Sequence, residues 1–181
     1  MKSGMAVRRW LLGLVLTLLG VVGAVAGQFQ EYRLGVGDKL RIEVFGHPEL
    51  SGEMVVNGAG NVVLPLVNDV SAVGLTTWEL GERITGKLKP DYLVNPRVTV
   101  ELLSYRPYYI LGEVERAGSY PYVEGMTVLN AVALAGGFGD RAHRRKMTIE
   151  RKYGNGRKKI RATPETRVEP GDIIVVKERF F

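Results

Sequence analysis

The chain writes Gly-Asp followed by an extended apolar run twice, as GDKLRIEVF at residues 37–45 and as GDIIVVKERF at residues 171–180. Glycine permits a tight reversal, and an Asp carboxylate accepts backbone N–H groups inside the turn. Gly-Asp is a common turn pair, so the weight falls on what surrounds each copy. On both sides the order is hairpin, helix and strand. That order predicts an α+β chain of two small modules, each a mostly β sheet with one principal helix.

In the first module Leu40, Ile42 and Val44 alternate with Lys39, Arg41 and Glu43, the period of a half-buried strand. Val55-Val56 and Val62-Val63-Leu64 flank NGAGN at Asn57–Asn61. Asn-Gly between β-branched runs predicts a hairpin there. Leu80, Ile84 and Leu88 then recur every fourth residue and place one apolar stripe on a helix. Thr76 followed by Glu79 spells a capping box, Leu75 and Leu80 are spaced as its hydrophobic staple, and Pro90 ends the helix. Val98, Val100 and Leu102 mark another alternating strand, and Tyr105–Pro107 (YRP) reads as a hinge.

The second module is expected to open with a strand over 108–114 and to turn at Ala117-Gly118, with Tyr120 and Tyr122 on one face of a further strand. Thr127 is a good N-cap for VLNAVALA, and Gly136-Gly137 a good stop. That helix is apolar nearly all round, which predicts burial between a sheet and something else. KMTIERKYGNGRKKIRA reads as a hairpin with Met147, Ile149 and Arg151 on one side, its turn at Gly154-Asn155-Gly156 and Ile160 returning. Val168 to Val176 closes the module through Gly171-Asp172.

Residues 1–26 stand apart. Lys2, Arg8 and Arg9 precede the apolar run from Trp10 to Ala26, which ends in Ala24-Val25-Ala26. A basic start, a greasy core and a small-x-small exit read as a secretory signal. The run of 17 residues also touches the lower limit for an uncleaved anchor. Either way the remainder is expected to leave the cytoplasm, as module 27–104 followed by module 105–181.

With no Cys in the sequence, disulfides, thiolate metal sites and a lipid-acceptor Cys are all excluded. Charge is uneven: residues 27–104 hold 7 basic and 10 acidic residues, whereas residues 105–181 hold 15 and 9. An anionic partner would therefore meet the second module.

Residue types for catalysis are present but not in working patterns. GERITGKL (Gly81–Leu88) nearly spells a phosphate-binding loop, but Leu88 replaces the required hydroxyl and the stretch lies inside the capped helix. His47 and His143 are far apart, no Ser sits in a nucleophile-elbow setting, and Glu113 and Glu115 point to opposite faces of an extended segment. The expectation is no enzyme, no cofactor and no metal. From Arg141 to Arg161 there are ten basic residues and one acid, Glu150. This is either a solvated hairpin or a surface for anions, with Tyr153 at its turn placed to stack on a ring.

YRLGVGDKLRIEVFGHPEL, NGAGNVVLPLV, VGLTTWEL and NPRVTVEL, in that order, resemble the N-terminal domain of the bacterial polysaccharide export protein family. YYILGEVERAGSYPYVEGMTVLNAVALAGGF followed by VEPGDIIVVKERFF is similar to its SLBB module, of soluble-ligand-binding β-grasp type. The resemblance implies two β-grasp-like modules and homo-oligomeric rings in the periplasm. These would carry capsular or exopolysaccharide from an inner-membrane polysaccharide copolymerase toward the outer membrane. Family members known for a lipidated Cys and a C-terminal pore helix differ from this chain, which shows neither up to Phe181. A non-lipidated periplasmic adaptor serving a separate outer-membrane β-barrel is expected. The alternative is a periplasmic module that holds glycan or another anionic polymer without forming a conduit. On the family reading Gly112, Glu113 and Gly118 build the turn that exposes the β-grasp edge. Arg144, Arg145 and Lys146, with Arg151, Lys152 and Tyr153, are the candidate contacts to polymer or a neighbouring subunit. Nucleic acid is not expected.

Overall fold

Alternation becomes strand, and the four-residue repeat becomes helix, at most places where the sequence shows them. The computed structural model describes residues 31–154 and 156–179, so the leader, Asn155 of the expected turn, Phe180 and Phe181 lie outside the described residues. In chain order the elements are β1 (Lys39–Val44), β2 (Gly52–Val55), β3 (Asn61–Leu64), β4 (Asn68–Ser71), α1 (Thr77–Leu88) and β5 (Val98–Ser104). They continue with β6 (Tyr108–Gly112), β7 (Gly118–Tyr120), α2 (Val128–Leu134), β8 (Ala142–Tyr153), β9 (Gly156–Ala162) and β10 (Ile173–Glu178). Among the described residues no helix is long and apolar enough to cross a membrane.

β1 lies between β2 and β5, antiparallel to both. Its Leu40, Ile42 and Val44 are buried with Leu80, Ile84 and Leu88 of α1 in a first core. Fully burying each such side chain contributes roughly 1.5–3 kcal/mol. The capping box forms as expected: Glu79 N–H donates to Thr76 Oγ1 at 3.1 Å, and Thr76 N–H donates to the Glu79 carboxylate at 2.8 Å. That backbone donor, with Arg33 nearby, holds the Glu79 carboxyl below its usual value. Because the folded value is the depressed one, the cap's contribution is present above the ordinary Glu range and is lost as pH falls through the folded value. Urea unfolding from about pH 7 to about pH 3 should show an acid loss that Glu79→Gln reduces. An identical profile in the variant would remove the cap as its source.

The expected hairpin across Asn57–Asn61 is not made. The chain does turn there, with Asn57 Oδ1 accepting the N–H groups of Ala59 and Asn61 at 3.0 Å each. However, β2 pairs with β1, whereas β3 pairs with β4 in a separate two-stranded sheet. The hairpin loop is instead 65–67, with Leu66 at φ of 69° and Asn68, the first residue of β4, at 53°. Pro65 and Asn68 are turn-forming residues, but left-handed Leu is uncommon, so the sequence does not mark Leu66 as the reversal.

The second module forms a five-stranded sheet in the order β7-β6-β10-β8-β9. β10, the last strand, lies parallel to β6 and antiparallel to β8. A first and last strand paired in parallel, with the helix crossing between the second and third, is the β-grasp arrangement. The first module shares the sheet-and-helix composition but runs β1 and β5 antiparallel. Strand β6 stops at Gly112, and Val114 makes only an isolated bridge to Phe138. The closing strand runs from Ile173 to Glu178, later than the sequence suggests.

Thr127 caps α2 together with Asn130, and the N–H groups of Val128 and Leu129 donate to Thr166 and Pro164 carbonyls. The expectation that α2 is buried all round is overturned. Val128, Ala131 and Val132 enter the second core, but Leu129 and Leu134 remain about half exposed, because a seven-residue helix on one sheet face hides only one side.

Candidate functional site at the module junction and the basic hairpin

Both Gly-Asp turns close in the same way. In the first, Gly37 has φ of 94°, Asp38 N–H donates to Gly35 O at 3.2 Å, and Asp38 Oδ2 accepts the Gly35 N–H at 2.7 Å. In the second, Gly171 has φ of 84°, Asp172 N–H donates to Glu169 O at 3.1 Å, and Asp172 Oδ2 accepts the Glu169 N–H at 2.8 Å. Each carboxylate is buried, and a buried charge requires a partner. For Asp172 it is Arg151, whose Nε and Nη2 donate side by side at 3.0 and 2.8 Å. For Asp38 it is Arg106, through the backbone N–H at 2.7 Å and Nη1 at 3.2 Å, with Tyr32 OH donating at 2.7 Å.

Arg106 also reaches the second turn. Its Nε donates to Pro170 O at 3.0 Å, and Gly171 N–H donates to Pro107 O at 3.1 Å. Gly35 and Gly171 face this guanidinium from its two sides: a Cβ at Gly35 would lie 2.3 Å from Nη1, and one at Gly171 would lie 2.9 Å from Nε. One arginine thus sits against both turns. Tyr32, Tyr105 and Tyr122 form an edge-to-face series beside it, with centroids 4.9 and 5.1 Å apart. Burial, reinforced by the Asp38 carboxylate, raises the Tyr32 phenol well above its ordinary value, so it remains a donor.

Of the expected turn residues, Gly112 ends β6, Glu113 follows it and Gly118 opens β7. Gly112 has φ of 90° and lies against the carbonyl of Val176, Glu113 N–H donates to that oxygen at 3.0 Å, and Gly139 N–H donates to Glu113 O at 3.1 Å. Gly112 and Glu113 therefore bind the end of β6 down onto β10 and the loop after α2. Gly118 begins β7, the three-residue edge of the sheet.

The basic residues lie on β8 and β9. Arg151 leaves the set of free cations, because its guanidinium is used by Asp172, Glu169 and the Arg167 carbonyl. These acceptors also hold it in its charged form. Arg144 lies over the Phe138 ring at 5.7 Å, and exposed Tyr153 has Lys158 over its ring at 5.7 Å. Arg145, Lys146 and Lys152 are exposed. β9 is a sheet edge rich in Arg and Lys and β7 is short, so neither invites another strand. His47 Nδ1 contacts Glu49 at 2.9 Å, and among the described residues no group of three or more His, Cys, Asp or Glu could hold a metal ion.

The family model for polysaccharide biosynthesis/export proteins matches residues 26–103, and the SLBB domain model matches residues 107–161. The chain belongs to the polysaccharide export protein family. It is 39% identical over 135 residues to the exopolysaccharide production protein ExoF of Rhizobium meliloti (strain 1021), covering 68% of this chain and 32% of that protein. It is 32% identical over 117 residues to the polysialic acid transport protein KpsD of Escherichia coli, covering 64% and 21%. It is 29% identical over 143 residues to the EPS I polysaccharide export outer membrane protein EpsA of Ralstonia nicotianae (strain ATCC BAA-1114 / GMI1000), covering 64% and 37%. The chain thus spans well under half the length of these curated relatives.

In this polysaccharide export family chain, Arg106 falls in the gap between the two matched stretches. It is the residue that sequence reasoning missed. Tyr105-Arg106-Pro107 reads locally as a hinge, and Asp38 lies 68 residues away along the chain. The available signal was the repeated Gly-Asp turn itself, since each buried Asp demands a cation.

Proposed function

We propose that this chain takes part, without covalent chemistry, in moving a polysaccharide across the bacterial envelope, as a periplasmic component associated with the outer membrane. The observation that carries the reading is the succession of the two family matches along the chain, with Arg106 pinning the turns of both modules between them. The relatives' names, which speak of exopolysaccharide production, polysialic acid transport and polysaccharide export, support it. So does the use of both buried carboxylates on structural donors, which leaves neither free as an acid or base.

In this reading residues 27–104 and 105–181 act as two domains, and subunits associate head to tail into rings. Polymer arrives from an inner-membrane copolymerase and passes to a separate outer-membrane β-barrel. β5 supports the association: it is a seven-residue sheet edge, Val98–Ser104, without Lys or Pro. Such an edge pairs readily with another chain, and pairing of unlike faces closes into a ring when the rotation permits. Negative-stain images and mass measurement of the purified full chain should show closed rings. A monomer at every concentration would contradict the ring, and shortening of added polysaccharide would contradict the non-enzymatic role.

A further inference from the structure

The second sheet has one face packed by α2 and one left open. The inner face buries Tyr108, Ile110, Met147, Ile149, Ile174 and Val176. A sheet with one solvated face ordinarily alternates apolar-in and polar-out. Here β6 and the central strand β10 are apolar on both faces. The registers align Tyr109, Ile173, Glu150 and Lys159 in one outer row, and Leu111, Val175, Thr148 and Arg161 in the next. Tyr109 is 43% and Leu111 47% exposed, so this apolar block is open to solvent.

Cations flank the block on the β9 side. Arg157, Lys159 and Arg161 occupy alternate positions of one strand and so recur about every 7 Å on one face. Lys152 lies opposite Arg157. The acid on this face is Glu150, 3.6 Å from Lys159, whereas Lys152 and Arg161 make no ion pair among the described residues. β8 separates the apolar block from the cation row, a span of about 10 Å over two strand spacings. A single sugar does not reach both; a chain of them does.

We propose that this open face binds a linear acidic polysaccharide. Apolar C–H faces of the sugars lie on Tyr109, Leu111, Ile173 and Val175, and carboxylates meet Arg157, Lys159 and Arg161. The inference rests on the export reading only for the source of the polymer; the chemistry comes from the face. Single-stranded nucleic acid is disfavoured because it uses a series of flat aromatic platforms, and the block offers Tyr109 alone. A membrane is disfavoured because half-buried Ile173 and Val175 do not project into an acyl layer as an amphipathic anchor does.

The test is calorimetric titration of the purified full chain with polygalacturonate and, in parallel, with neutral dextran. Polygalacturonate should bind with an affinity that falls as salt rises, and dextran should not bind. Lys159→Glu with Arg161→Glu should weaken binding about tenfold or more. Lys89→Glu with Arg97→Glu, the same charge change in the first module, should leave it unaltered. Leu111→Ser should weaken binding without changing its salt dependence. Absence of polygalacturonate binding, equal loss in the control pair, or indifference to Leu111→Ser would each overturn the proposal. So would a variant that alters the mass of the assembly but not polymer binding, since the face would then join two copies. If deleting the gene removes surface polymer while the chain fails to bind polygalacturonate, the face is wrong and the export reading stands. If the chain binds but deletion leaves surface polymer intact, the reverse holds.

Discussion

Arg106→Ala should destabilise the chain by about 3–5 kcal/mol in urea unfolding, and should turn one transition into two. The side chain of Asp38 is fully buried and that of Arg106 is 24% exposed, so removing the guanidinium strands a carboxylate in a site closed to water. Tyr32 OH and the backbone N–H groups of Gly35 and residue 106 still donate to it, but none supplies a positive charge. The same substitution breaks the Nε contact to Pro170 and empties the space between Gly35 and Gly171. Each module retains its own core, which is why the loss should separate their unfolding. Arg106→Lys should recover part of the stability by restoring charge without the planar fork. Asp38→Asn in the Arg106→Ala background should recover part as well, by removing the stranded charge. A loss below about 1 kcal/mol, the scale of one ordinary hydrogen bond, would show that the junction is not held by this ion pair.

Gly112→Ala should cost about 3 kcal/mol or more. Two effects combine. At φ of 90° an L-residue is strained, and the added Cβ would lie 2.0 Å from the carbonyl oxygen of Val176, which is backbone and has no rotamer to yield. The parallel pairing of β6 with β10 ends at that position, with Gly112 opposite Val176, so relief requires these two strands to part. Gly125→Ala separates the two effects, because Gly125 has φ of 79° but nothing within 4 Å of its Cβ position. That variant should lose only the strain, roughly 1–2 kcal/mol. Equal losses in the two variants would refute the clash. Thermal or urea unfolding reads both.

What could be read from the sequence was local. The alternation of Leu40, Ile42 and Val44, the Thr76–Glu79 cap and the Thr127 cap act within a few residues, and each appears in the structure. Partner choice was not readable. Asn57–Asn61 announces a reversal but not which strand lies alongside, and β2 and β3 leave it for different sheets. Charge roles were also hidden: Arg151 looks like one more cation in a basic run, yet Asp172, 21 residues on, claims it. The open apolar face did leave a trace in the sequence. Tyr108–Leu111 and Ile173–Val176 are apolar without alternation, a pattern that also fits strands buried on both faces, and only the position of α2 shows that one face is bare.

The most direct measurement is the amount of surface polysaccharide in cells lacking this gene, with and without the gene restored. The account predicts that surface polymer disappears on deletion and returns with the intact chain, while restoration with Arg106→Ala leaves it depleted. Unchanged surface polymer in the deletion strain would contradict the account.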